Sequence, residues 1–240
     1  MRPGDSHCYG IISELKTDNS ILNKFVHIAM LDGLSTPYAN PIYGGLGGGI
    51  HTQAILLTAE MIALSAVFQG TTVGTTPTHP VYFASTPKEM LQLTSIAFQA
   101  IARNSHSVTR LTQTSVGGPG TKTFLYEIIA SSLMLTKSGL ARVQGPRGAT
   151  GAVTGMCSGL EARFQGELLH AAVKIDRSKA EEIAQKAYAK YKDDLDSKPY
   201  GKPFWEVYDV KTVQPTKEWL NMYDEVKEEA ISWGLPLDLI

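Results

Sequence analysis

The segment Val108–Lys137 reads VTRLTQTSVGGPGTKTFLYEIIASSLMLTK and holds one complete structural repeat. It opens on a short apolar strand, Val108–Leu111, turns at Gly117-Gly118-Pro119-Gly120, and closes on a helix-length amphipathic stretch, Thr121–Lys137. The same order recurs from Val26 to Gly145, with further strands expected at Val26–Leu31, Val81–Ala84 and Ala141–Val143. Helices are expected at Ile50–Gln69 and Pro87–Arg103. Runs such as Phe25–Met30 lack strict polar alternation, as expected of parallel strands covered on both faces by helices. The pattern is a βα repeat.

Four or five strands can be counted, whereas a closed (β/α)8 barrel needs eight in about 250 residues. The repeat therefore amounts to half a barrel, within one partial domain spanning residues 1–240. Residues 1–150 carry the repeats and residues 151–240 carry flanking and C-terminal helices. The charge distribution follows that division. Of 45 charged residues, 17 precede Gly151 and 28 fall in the last 90 positions, the mark of buried scaffold followed by solvated helices. Ser158-Gly159-Leu160-Glu161 is a capping box opening one helix, and Ser178 to Glu181 opens another. A terminal helix is expected from Thr216 to Trp233, stopped by Gly234 and Pro236.

Hydrophobic residues make up 43% of the chain, enough for a sizeable core. Lys and Arg total 22 against 23 Asp and Glu, so no electrostatic grip on nucleic acid is expected. The most apolar stretch, Ile50–Phe68, is interrupted by His51, Gln53 and Glu60, so no membrane span is expected. Two cysteines, Cys8 and Cys157, form neither a disulfide framework nor a paired zinc motif, which fits a reducing cytoplasm.

The strongest local signal is the glycine loop Gly44-Gly45-Leu46-Gly47-Gly48-Gly49, echoed by Gly117, Gly118 and Gly120. Both stand where strands hand over to helices, the barrel face on which active sites sit. Glycine there admits a ligand or partner backbone, and a free helix N-terminus favours an anion. Simple tight turns are the alternative. His51 follows the first loop and is a candidate contact for whatever binds there. The six histidines, His7, His27, His51, His79, His106 and His170, lack metal-ligand spacing, and no metal site is assigned. His27 is expected in an apolar strand as a core histidine. Cys8 beside His7 is expected to be a buried, inert thiol. Tyr38 and Tyr43 flank the approach to the first loop, either donating into a cleft or packing in the core. Arg110, Thr112 and Gln113 end the Val108 strand at the same rim and are suited to a small polar substrate. Glu161 reads as a helix cap and Glu167 as part of a solvated face.

The runs Gly159–Glu167, Tyr208–Thr216, Pro41–Ile50 and Asp5-Ser6-His7 resemble monomethylamine:corrinoid methyltransferases, and the similarity extends over essentially all 240 residues. The resemblance implies a (β/α)8 barrel, of which this chain carries about the C-terminal half, working as a homo-oligomer in methylamine-dependent methanogenesis. Its barrel mouth would face a separate corrinoid protein, with the corrinoid held by that partner and no cofactor bound directly. In that family a pyrrolysine imine captures the amine before the methyl group passes to cobalt. The resemblance places that residue before Met1, outside this sequence. It also surrounds the imine with two glutamates and a glutamine, where this chain has Cys8, Tyr38 and Thr112, with Gln113 next to the last. The acidic residues are absent. Four readings stay open: a methyltransferase-family barrel half that docks a corrinoid protein and is inactive alone; a paralogue with a different methyl donor; a non-catalytic remnant or scaffold subunit; and a phosphate-binding barrel enzyme using the helix after Gly49.

Overall fold

Asp18 begins the first helix. Its carboxylate accepts from the Ile21 backbone N–H at 2.9 Å, and the helix α1, Asn19–Met30, turns Ile21 and Ile28 inward while leaving Val26 and Met30 exposed. The run expected as a strand at Val26–Leu31 is therefore the end of this helix, and His27 is helical. A six-residue apolar run has no periodicity that separates strand from buried helix, and the Asp18 cap settles it.

The computed structural model describes residues 2–11 and 16–237. Its elements in chain order are β1 (Ser6–Gly10), α1, β2 (Leu34–Ala39), α2 (Ile50–Val67), β3 (Val73–Thr75), α3 (Lys88–Asn104), β4 (Thr109–Thr114), α4 (Lys122–Lys137) and β5 (Arg142–Arg147). There follow α5 (Gly159–Lys174), α6 (Arg177–Tyr191), α7 (Phe204–Val207), β6 (Tyr208–Asp209), β7 (Gln214–Pro215) and α8 (Lys217–Ser232). Strands β1 to β5 form one sheet in sequence order, with β1 to β4 paired in parallel. The short strands β6 and β7 form an antiparallel pair. The strands expected at Val108 and Ala141 are β4 and β5. The one expected at Val81–Ala84 is instead a run of turns, and the strand of that repeat is β3 upstream. Three residues, Val73-Gly74-Thr75, are too few and too polar around to read as a strand.

The chain falls into two compact units that interleave in sequence, so β4 and β5 each contribute to both. The first comprises Met1–Pro80, Gln92–Thr112 and Ser138–Gln144. In it, Gln53, Ala54, Leu57, Glu60, Met61 and Leu64 of α2 are buried, and the helix packs against β2 and β3. Thr75 donates to the Glu60 carboxylate at 3.1 Å. The Tyr9 and Ser35 hydroxyls meet at 2.9 Å, and Ser35 donates to the Phe68 carbonyl at 2.8 Å. Helix α2 is long and apolar enough to cross a membrane by length and composition, but its buried side carries Gln53 and Glu60 and serves the sheet.

The second unit comprises Val81–Leu91, Gln113–Lys137 and Gly145–Ile240. Helix α4 lies at its centre, against α5, α6 and α8, with Phe124, Phe164, Tyr191 and Trp219 fully buried. The capping box holds as expected, with the Ser158 backbone N–H donating to Glu161. Glu167 differs from its expected place on a solvated face. Its side chain is 10% exposed and accepts from Tyr223 at 2.6 Å, Lys227 at 2.9 Å and Arg163 at 2.8 Å. A buried Lys227 needs that counter-charge.

Glu127 is fully buried in α4. It accepts from the Thr86 hydroxyl, from Val116 N–H at 2.9 Å and from Gly117 N–H at 2.8 Å. Burial outweighs these donors and pushes its carboxyl up to about 7 from 4.5. A carboxyl raised on folding contributes stability that is complete below 4.5 and is lost as the pH climbs through about 7, roughly 3 kcal/mol over that interval. Urea midpoints should therefore fall between pH 5 and pH 8. Glu127→Gln should flatten that slope and lower the whole curve, because an amide N–H would face a backbone N–H. An unchanged slope in the variant would assign the pH dependence elsewhere.

Five strands are about half of what barrel closure requires. Among the described residues β1 and β5 each pair on one side only, while Leu34, Ile55 and Ile62 are exposed. Residues 1–240 expressed alone should self-associate through these edges and apolar surfaces. Sedimentation as a monomer with a cooperative melt at micromolar concentration would contradict this.

Candidate functional site

Gly10, Tyr38, Gly74 and Arg110 stand in one row across four neighbouring strands. The register pairs Gly10 with Tyr38, Tyr38 with Gly74, and Gly74 with Arg110. Side chains of parallel neighbours in register share a face, so two glycines alternate with two long, flat side chains. The glycines leave the floor on which those side chains lie. A Cβ on Gly74 would stand 2.7 Å from Arg110 Cγ and 3.0 Å from the Arg110 carbonyl, and one on Gly10 would stand 3.2 Å from the Tyr38 ring.

Arg110 is 2% exposed. Its guanidinium carbon lies 4.8 Å from the centre of the Tyr38 ring, a cation–π contact. Nη1 donates to Gln144 Oε1 at 2.7 Å, and Nη2 donates to Cys8 Sγ at 2.9 Å and more weakly to the Thr36 carbonyl at 3.4 Å. Thr112, two residues on and on the same face, reaches the same Gln144 oxygen at 3.4 Å. Burial pushes the guanidinium below its ordinary pKa, with Arg142 adding to that effect and Cys8 and Tyr38 opposing it. It remains a cation. No carboxylate among the described residues forms an ion pair with it.

Of the positions singled out in the sequence, Cys8, Tyr38, Arg110 and Thr112 come together in the first unit. Cys8 is exposed, which corrects the expectation of a buried thiol: in a strand whose neighbour Tyr9 turns to the helices, residue 8 turns to the open face. Gln113 does not join them. As the next residue of β4 it turns to the opposite face, is fully buried, donates to Ser115 at 3.2 Å and accepts from Gln165 at 2.6 Å. Gln144, Thr36 and Gly74 were not singled out, since only strand register makes them neighbours of Arg110.

The loop Gly44–Gly49 leads from β2 to α2, as expected. Gly44 and Gly48 have φ of +79° and +60°, and a Cβ on Gly47 would stand 1.9 Å from Gln53 Oε1. Gly44, Gly45 and Gly49 are exposed, as is His51. Tyr43 stacks on His79 with ring centres 5.9 Å apart. Gly117 and Gly118 are buried instead, in the second unit. Gly118 N–H donates to the Pro199 carbonyl at 3.2 Å, and a Cβ there would stand 1.9 Å from the Tyr200 carbonyl. Gly120 is half-buried beside Val207 and Lys202. Gly118 and Gly120 thus admit the chain's own residues 199–202, whereas Gly117 admits the first turn of α4, where a Cβ would stand 2.7 Å from the Phe124 nitrogen. Among the described residues no group of His, Cys, Asp and Glu could hold a metal ion.

The glycine row yields a stability prediction. Gly74→Ala should displace Arg110 and cost about 1–3 kcal/mol in a denaturant titration. Gly10→Ala, which meets only the movable end of Tyr38, should cost less. Equal effects would mean that the row does not seat the arginine.

A family model described as monomethylamine methyltransferase MtmB matches residues 1–235. The chain is 30% identical over 235 residues to monomethylamine methyltransferase MtmB2 of Methanosarcina acetivorans, covering 98% of this chain and 51% of that protein. It is 28% identical to MtmB of Methanosarcina mazei over 231 residues, covering 96% of this chain and 50% of the relative. The crystal structure of the Methanosarcina barkeri monomethylamine methyltransferase superposes with a TM-score of 0.94 at 30% identity, over 98% of this chain and 51% of that one. The crystal structure of the hydroxylamine MtmB complex gives the same values. The chain thus spans about half the length of the relatives it matches, and its five-stranded sheet is half of a (β/α)8 barrel. Matched along 235 of its 240 residues, with its strands laid out as in the solved relative, the chain belongs to the monomethylamine methyltransferase MtmB family.

Proposed function

We propose that this chain is part of a methyltransferase that moves a methyl group from a small donor to a corrinoid carried by a separate protein, and that it works in the cytoplasm within a homo-oligomer. The family match over residues 1–235 carries this reading. The open sheet face, with Tyr38, Arg110 and Thr112, would hold the donor, and the exposed Gly44–Gly49 loop with His51 would form part of the docking face. No cofactor need be bound by the chain itself.

The donor is one other than monomethylamine. A protonated amine would be repelled by Arg110, and the positions that the resemblance assigns to glutamates hold Cys8 and Tyr38. Each missing charge-assisted hydrogen bond is worth roughly 1.5–3 kcal/mol. The same replacements favour a second reading, a scaffold subunit without turnover.

The test is methyl transfer by the full-length polypeptide containing this sequence to free or protein-bound cob(I)alamin, followed by its absorbance change. Turnover with a methylated compound but not with monomethylamine is the expected result. No turnover with any donor would leave the scaffold reading, and efficient turnover of monomethylamine would refute the donor assignment. A pulldown on the full-length protein should also recover a cobalamin-binding partner.

A further inference from the structure

A buried cation without a counter-charge needs an explanation, because the desolvation it suffers is offset only by pairing. Arg110 has five N–H donors. Two on Nη2 go to the Cys8 sulfur and the Thr36 carbonyl, and one on Nη1 goes to Gln144. The acceptors are all neutral in formal charge or weak. Among the described residues, Nε is buried without a partner, and so is the Thr36 hydroxyl. The other groups that act on its charge are Tyr38 and a second cation, Arg142. A buried cation elsewhere in the chain shows the contrast: Lys227 has Glu167 at 2.9 Å.

The surroundings open outward. Cys8 and Gln144 are exposed and Tyr38 and Thr112 are half-buried. Because Gln144 Oε1 accepts from Arg110, its amide N–H2 group turns away from the guanidinium and stands as a donor on the open face. Tyr38 adds a hydroxyl, while that of Thr112 is turned to the Gln144 oxygen. Donors therefore converge around a positive charge, with no fixed acceptor of full negative charge. We propose that this face is a binding site for a small carboxylate, which would pair with Arg110 and accept from Gln144. The inference concerns binding and holds whether or not the carboxylate is also the methyl donor of the reading above.

Acetate serves as the probe, in calorimetry on the full-length polypeptide at constant ionic strength, with chloride and methylammonium as controls. Saturable binding of acetate, and of neither control, is expected. Gln144→Glu places a carboxylate beside the guanidinium at an exposed position, so folding is retained while acetate affinity should drop roughly ten- to hundredfold. Arg110→Lys keeps the charge but loses the fork and should weaken binding as well. Thermal melts of both variants check that they fold. Absence of acetate binding to the wild-type polypeptide would overturn the proposal, since Arg110 would then be neutralised by another part of the protein. So would acetate binding that Gln144→Glu leaves intact, or a response that chloride reproduces.

Discussion

Glu127 holds the end of β4 to the start of α4, and it does so without water. Three donors converge on its carboxyl group, two of them backbone N–H groups of Val116 and Gly117 in the turn that joins the two elements. Helix α4 can then be buried on nearly every side, packed by α5, α6 and α8, because the turn's polar groups are satisfied from within the helix itself. Thr86, which donates to Glu127, also gives its carbonyl to the Tyr191 hydroxyl at 2.7 Å. One carboxyl thus organises the turn, the central helix and a contact to α6. Glycines 117 and 118 follow from the same crowding, because Phe124 and Glu127 of α4 occupy the space a side chain at 117 would need and Tyr200 occupies the space at 118.

In the first unit, space rather than charge is the organising constraint. Tyr38 and Arg110 lie flat only because Gly10 and Gly74 stand beside them in register. That geometry turns a guanidinium sideways, brings it to Cys8 and Gln144, and stacks it on an aromatic ring. An arginine used only for packing would be served better by a carboxylate partner, as Glu167 serves Lys227 and Arg163 in the second unit. The difference between these two buried cations, one answered by a carboxylate and one not, separates a structural ion pair from a site.

The legible parts of the sequence were those in which secondary structure and burial agree. Val108–Lys137 reads correctly because an apolar strand, a glycine turn and an apolar helix follow one another in a single repeat, and the Ser158 capping box and Thr216 cap mark their helices locally. Strands β1, β2 and β3 were not legible, for one shared reason. Ser6-His7-Cys8-Tyr9-Gly10 and Val73-Gly74-Thr75 carry glycine where neighbouring side chains must cross, and Leu34-Ser35-Thr36-Pro37-Tyr38-Ala39 is interrupted by Ser35, Thr36 and Pro37. Such residues depress strand propensity. At Val26–Leu31 the error ran the other way, since an apolar run at the end of an amphipathic helix has the composition of a buried strand.

The same contrast explains which site residues could be found. The resemblance points to Cys8, Tyr38 and Thr112, and the end of an apolar strand points to Arg110 and again to Thr112, whereas Gly74, Thr36 and Gln144 have no meaning until register is known. Gln144 lies 34 residues from Arg110 and Cys8 lies 102 away. A site assembled from single positions on successive strands leaves no contiguous motif, so local rules fail where the chain departs from good strand-forming sequence. Those departures are themselves informative once the sheet is drawn. Glycine at 10 and 74 lowers strand propensity and arginine at 110 carries a desolvation cost, and they fall in one row. Independent lapses would scatter over both faces of the sheet; a shared row on the open face is what selection for a ligand-holding surface produces.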